Sequence, residues 1–251
     1  MSIILEDSAL NTYTLAANFK IKGTPFRKRS KISTIAYREG GRNTSDKKVD
    51  VRTVEIEGIL RGTDTADYLT KKNTLFKWLN KEDLKLYYQA DRYINVTEIT
   101  NIQHDFFDGS HFRIAKVAFT CECDDPFWYY VALNTFPFAM ITSPQVFTVW
   151  NLGDYFVSPV ITILNTADNT NLTLTNLTDN LTSLNYADIA FLNGLLLEIN
   201  NDIGTVKRGQ PGINTIDKMT GNFLKLLPGV NTFTYTGATC SIVFKWYNRE
   251  L

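Results

Sequence analysis

The chain has 251 residues, long for one β-domain and comfortable for two of ordinary size. With 44% hydrophobic and 13% aromatic residues it can fill real cores, which excludes a disordered chain. Its 26 basic residues balance 26 acidic ones, and without a basic excess nucleic acid is excluded as the main partner.

The opening Met1-Ser2-Ile3-Ile4-Leu5-Glu6-Asp7 has no basic stretch and reaches acid before an apolar core develops, unlike a secretory signal. No apolar run approaches the roughly 18 residues of a membrane span, so the expectation is a chain made in the cytoplasm with no membrane insertion. Lys31 to Tyr37 and Val49 to Leu60 alternate like strands. The polar segment between them, from Arg38 to Lys48, is longer than a tight hairpin needs. It reads either as a surface loop or as an arm reaching a neighbouring subunit through Arg38, Arg42, Asp46, Lys47 and Lys48.

Gly62-Thr63-Asp64 supplies a helix start, and Asp67 in the first turn suits the helix dipole. The one helix is predicted over about residues 64–80. Tyr68, Leu69, Leu75, Phe76 and Leu79 form its apolar stripe, expected to pack on a sheet. Strands are predicted at Leu84–Gln89, Tyr93–Gln103 and His111–Cys123, with Asp108-Gly109 as the last turn. In the third strand Arg113, Ala115, Val117 and Phe119 oppose Phe112, Ile114, Lys116 and Ala118.

Charge thins out beyond this point. Residues 1–130 hold 20 basic and 18 acidic side chains, residues 131–251 only 6 and 8. The second part is rich in Asn and Thr, which suit turns and exposed strand faces. The expected division is a first domain over residues 1–130, a linker and first part of the second domain over 131–147, and a β-sandwich over 148–251. Short strands are predicted at Gln145–Trp150, Val160–Leu164, Leu172–Leu174, Leu195–Ile199, Phe223–Leu224, Asn231–Thr236 and Ser241–Tyr247. Turn pairs such as Asn193-Gly194 and Pro228-Gly229 separate them. The fold class is mainly β.

No catalytic constellation assembles. The phosphate-loop pattern and the serine elbow G-x-S-x-G are both absent. His104 and His111 lack a placed nucleophile, and Asp124-Asp125 suits a turn before Pro126. Cys121 and Cys123, two apart in one strand, read as a buried reduced pair rather than half a metal site. No cofactor is expected, and the chain reads as no enzyme. Trp150 and Tyr155, with Phe156, form either a sugar-stacking platform or part of a sandwich core, and the core reading is preferred.

Three stretches in succession carry a resemblance. They are Val54-Glu55-Ile56-Glu57-Gly58-Ile59-Leu60 with the helix end Leu75-Phe76-Lys77-Trp78-Leu79; Phe119-Thr120-Cys121-Glu122-Cys123-Asp124-Asp125-Pro126-Phe127-Trp128-Tyr129; and Asn151-Leu152-Gly153-Asp154 and Ser158-Pro159-Val160-Ile161-Thr162-Ile163 with the terminal Leu227-Pro228-Gly229-Val230-Asn231 and Ile242-Val243-Phe244-Lys245-Trp246-Tyr247. In this order the chain resembles the distal tail proteins of siphophages. The resemblance implies an N-terminal belt domain that forms a hexameric ring and a C-terminal galectin-like β-sandwich. It implies a virion protein at the distal end of the tail, joining the tail tube protein to the tip hub or baseplate. Receptor-binding proteins are further implied partners, and DNA only passing cargo. An alternative reading is a carbohydrate-binding module for host-envelope attachment. Sugar-binding galectins use His and Arg beside a Trp, however, and residues 131–251 contain no His and only Arg208 and Arg249.

Overall fold

The computed structural model describes residues 3–23, 26–28, 32–33, 42–43, 49–88, 90–107, 113–140 and 143–250. The chain forms two compact units, Met1–Trp128 and Tyr129–Leu251. It is mainly β, as expected, with a single α-helix among the described residues.

The first unit contains β1 (Ile3–Glu6), β2 (Thr12–Thr14), β3 (Lys20–Gly23), β4 (Phe26–Lys28), β5 (Ile32–Ser33), β6 (Arg42–Asn43), β7 (Val49–Arg61), α1 (Thr65–Leu79), β8 (Leu84–Tyr88), β9 (Arg92–Val96), β10 (Glu98–Phe106) and β11 (Ile114–Cys123). One set of strands runs in the order β9-β8-β1-β2 and a second in the order β10-β11-β7-β3, with β4 also on β7 and β5 paired to β6. β11 follows its predicted alternation: Ala115, Val117, Phe119, Cys121 and Cys123 are buried while Lys116 faces out. It pairs antiparallel with β7 over ten positions, from Ile114 opposite Arg61 to Cys123 opposite Arg52. Leu60, Ile56 and Val54 are thereby buried on the same side of the sheet as the apolar set of β11. Gly58 completes that row, and a Cβ there would stand 2.4 Å from the ring of buried Phe19.

The helix begins where expected. The Asp64 carboxylate accepts from the Asp67 amide at 2.8 Å, and Asp67 accepts from the Thr63 amide at 2.8 Å, so both ends of the first turn are tied. Its buried side chains are Tyr68, Leu75, Trp78 and Leu79. Leu69, assigned to the stripe from sequence, is 48% exposed, because it stands about 100° around the helix from Tyr68. Trp78 takes the place in the core instead.

The predicted strand Tyr93–Gln103 is two strands in different sheets. Ile94 and Val96 are buried and then Ile99, a spacing of three that cannot stay on one face of one strand. The chain turns at Thr97, whose amide donates to Glu122 O at 2.8 Å. Gln89, Asp108-Gly109, His111 and most of Lys31–Tyr37 lie outside the described residues.

The second unit contains β12 (Trp128–Met140), β13 (Gln145–Asn151), β14 (Val160–Asn165), β15 (Asn171–Asn176), β16 (Thr182–Ala187), β17 (Leu196–Asn200), β18 (Thr205–Arg208), β19 (Ile213–Asn214), a 3-10 turn Ile216–Lys218, β20 (Met219–Gly221), β21 (Gly229–Thr236) and β22 (Cys240–Glu250). Its strands run β19-β18-β17-β14-β22-β12 in one sheet and β13-β21-β15-β16-β20 in the other. Phe147, Val149, Leu174, Phe233 and Tyr235 from the second sheet share one core with Ile161, Ile163, Ile242 and Phe244 from the first. This is a β-sandwich, with inward residues alternating along each strand. Gly194 and Gly229 adopt positive φ in the predicted turns.

Residues 131–147, read as a linker and first part of the second domain, hold most of β12 and the start of β13. One expectation changes here. Phe223–Leu224 is not a strand: Leu224 and Leu226 plug the core from an irregular segment, and the neighbouring strand is β20.

Candidate functional site

The residues with catalytic potential are used for packing. His104 on β10 pairs through Nε2 with the hydroxyl of Tyr68, which is fully buried on α1. The rings of Phe76 and Phe106 stand around it, with centroids 5.8 and 4.8 Å away. Burial, and then the Lys72 ammonium, hold the imidazole below its ordinary pKa, which favours the neutral ring. The pair joins helix to sheet. Cys121, Cys123 and Cys240 are free and buried. Burial raises all three thiols, Cys123 to about 12, so they stay protonated and unreactive. Asp124 and Asp125 form the expected bend before Pro126. No group of His, Cys, Asp or Glu able to hold a metal occurs among the described residues.

The outward face of the long sheet in the first unit is charged. Glu57 on β7 bonds Lys22 of β3 at 2.9 Å and Lys116 of β11 at 3.2 Å, and the two ammonium groups lower its pKa. Val51 and Ile59 flank this cluster on the same face of β7 and are partly exposed. Of the proposed arm, Arg38, Asp46, Lys47 and Lys48 lie outside the described residues, and the backbone of Arg42 lies in β6, opposite Ser33 of β5.

In the second unit Trp150 is 51% exposed on the outward face of β13, directly opposite the exposed Val230 of β21. The core reading of Trp150 is therefore overturned, because the strand parity that buries Phe147 and Val149 sends Trp150 outward. Tyr155 lies in the following loop against Phe156, with centroids 4.7 Å apart, and the Lys225 ammonium stands 4.7 Å from the centre of the Phe156 ring.

What sequence reasoning missed is the role of asparagine. Asn151, Asn165, Asn169, Asn176, Asn201 and Asn231 are buried rather than displayed on turns. Each amide clamps a loop to the sandwich. Asn176 donates to Lys225 O at 2.8 Å while accepting from the Thr178 amide at 3.0 Å. Asn231 donates to Leu227 O and accepts from the Leu227 amide, both at 2.8 Å. A side chain with a donor and an acceptor satisfies two backbone groups without burying charge. The one buried carboxylate among the described residues of this unit is paired. The Asp188 carboxylate takes Arg208, the Tyr186 hydroxyl at 2.8 Å and the Ala190 amide at 2.9 Å.

Residues 152–249 match the family model of the siphovirus-type tail component, C-terminal domain. No curated protein matches the chain by sequence. Among solved structures the chain is similar to the Dit protein of phage SPP1, with a TM-score of 0.70 and 18% identity over 98% of each chain. That structure is described as a paradigm of the hub adsorption apparatus in phages infecting Gram-positive bacteria. Residues 152–249 are thus similar in sequence to the C-terminal domain of siphovirus-type tail components, and the likeness in fold to the SPP1 Dit protein extends over 98% of the chain.

Proposed function

We propose that the chain forms a hexameric ring at the distal end of the tail, joining the tail tube to the tip hub or baseplate. The observation that supports this reading best is the likeness to the SPP1 Dit protein over 98% of both chains, since a belt and a sandwich have to be present together for such a role. In this reading residues 1–130 form the belt, residues 148–251 are the galectin-like sandwich, and the ring leaves a channel through which DNA passes. The sandwich, or the tip it belongs to, docks receptor-binding proteins. The subunit works by assembly and not by catalysis.

The segment from Arg38 to Lys48 is the proposed inter-subunit arm. Light scattering of the purified chain tests the ring: the expected mass is six subunits, or a pair of such rings. A strictly monomeric chain, even with tube and hub proteins added, contradicts the reading. Reversing the arm's charges in the double variant Lys47→Glu/Lys48→Glu should shift the mass toward single subunits while leaving thermal unfolding of the monomer unchanged. An unaltered ring removes these residues from the contact.

A further inference from the structure

The two sheets of the sandwich differ in their outward chemistry. One outward face carries Glu198, Lys207 and Lys245. The other sheet contains no Asp, Glu, Lys, Arg or His in any of its five strands, β13, β15, β16, β20 and β21. A solvent-facing sheet normally uses charge, especially lysine, to prevent edge and face association. Here the edge strand β13 reads Gln145-Val146-Phe147-Thr148-Val149-Trp150-Asn151 and has none.

In place of charge the face carries hydroxyls in register. Thr148 lies opposite Thr232, and Thr234 lies opposite both Val146 and Thr175, so hydroxyl-bearing side chains run in rows across the strands. Neighbouring rows are about 7 Å apart along the strand and neighbouring strands about 4.8 Å apart. The hydroxyls of Thr148, Thr175, Thr232 and Thr234 have no hydrogen-bond partner among the described residues. At one end of the grid stands the exposed indole of Trp150 against Val230.

We propose that this face binds a neutral polysaccharide, which stacks a sugar ring on Trp150 and lays its hydroxyls along the threonine rows. Three features select that occupant. An uncharged face is electrostatically matched to an uncharged ligand and offers nothing to a teichoic acid, a nucleic acid or another polyanion. Each threonine hydroxyl both donates and accepts, which is the pairing a sugar hydroxyl needs. A protein partner fits poorly, because protein interfaces and their hot spots are depleted in serine and threonine and centre on several aromatics or arginines, whereas this face has one indole. The site owes nothing to the histidine and arginine chemistry of galectins, so the absence of those residues does not bear on it. It also does not depend on ring formation.

The test uses the full chain and immobilised hexasaccharides of β-linked glucose, galactose and N-acetylglucosamine, with hexagalacturonate as the anionic control. At least one neutral probe should bind and the anionic one should not. Trp150→Ala should weaken binding roughly tenfold. Thr234→Lys, which puts a charge in the middle of the grid, should do the same, and Thr162→Lys on the opposite sheet should leave binding intact. All three variants alter side chains outside the core, and thermal unfolding checks that they fold. No binding to any neutral probe overturns the proposal, as does binding unmoved by Trp150→Ala and Thr234→Lys. Self-association lost on Thr234→Lys without glycan binding assigns the face to a second copy and overturns it too. Ring mass measured on the same samples keeps the two readings separate.

Discussion

Asp188 shows how the second unit, with so few charges, spends one of them inside. Burial raises its pKa, but the Ala190 amide, the Tyr186 hydroxyl and the Arg208 guanidinium outweigh that and leave it lowered. Its side chain is 5% exposed and that of Arg208 17%, so removing the carboxylate strands a mostly buried cation. Asp188→Ala should therefore destabilise the sandwich by about 3 kcal/mol, read as a lower urea midpoint with an unchanged slope. A loss below about 0.5 kcal/mol would mean that Arg208 finds water instead. Asp7 makes the corresponding case in the first unit. Hydrogen bonding to Lys81 is the main reason its pKa falls to about 2, and the Asn11 amide adds to it. A carboxylate depressed in the folded state contributes stability above its unfolded value of about 3.9, and that contribution fades as pH falls toward 2. Asp7→Asn should flatten the decline in stability between about pH 4 and pH 2, measured by denaturant midpoints at stepped pH. Parallel curves for the two proteins would remove Asp7 from the acid response. None of these partners was readable beforehand, because Asp7 and Lys81 are 74 positions apart and asparagine signals a turn whether it is buried or not.

At the scale of elements, the sequence was legible wherever local periodicity decided the outcome. The Ala115-to-Cys123 alternation gave β11 its buried face, and Asp64 with Asp67 gave α1 its start. It was less legible where the chain changes sheet. The three-residue step from Val96 to Ile99 was present in the sequence, but both strands around it are apolar enough to read as one. β12 was missed for a different reason: it has Pro137 in its course and apolar residues such as Val131 and Leu133 at exposed positions, so polar and apolar side chains do not alternate in its sequence. Gly58 carries a packing constraint that only tertiary structure reveals. Alanine in a strand usually improves on glycine, yet at Gly58 it would drive into the Phe19 ring. Gly58→Ala should cost about 1–3 kcal/mol, and Phe19→Leu in the same chain should recover part of that cost. Equal stability of Gly58→Ala and the parent would show that Phe19 moves freely. Asp64→Ala, which removes only the cap, should cost about 1 kcal/mol.

At the scale of the molecule, composition and function meet in the distribution of charge. On the outward face of β7 in the first unit, Glu57 is paired with both Lys22 and Lys116. The second unit removes charge from an entire sheet and holds its loops with asparagine. A chain neutral overall is suited to a packed assembly, since like charges multiplied by symmetry would repel. The proposed tail role is supported by the family match of residues 152–249 and by a fold shared along 98% of the chain, and the ring is its most specific element. Electron-microscope class averages of the purified protein test that step most directly. The account predicts rings of sixfold symmetry with a central hole. Single compact particles without rotational symmetry, at concentrations where the tube and hub proteins are also present, would contradict it.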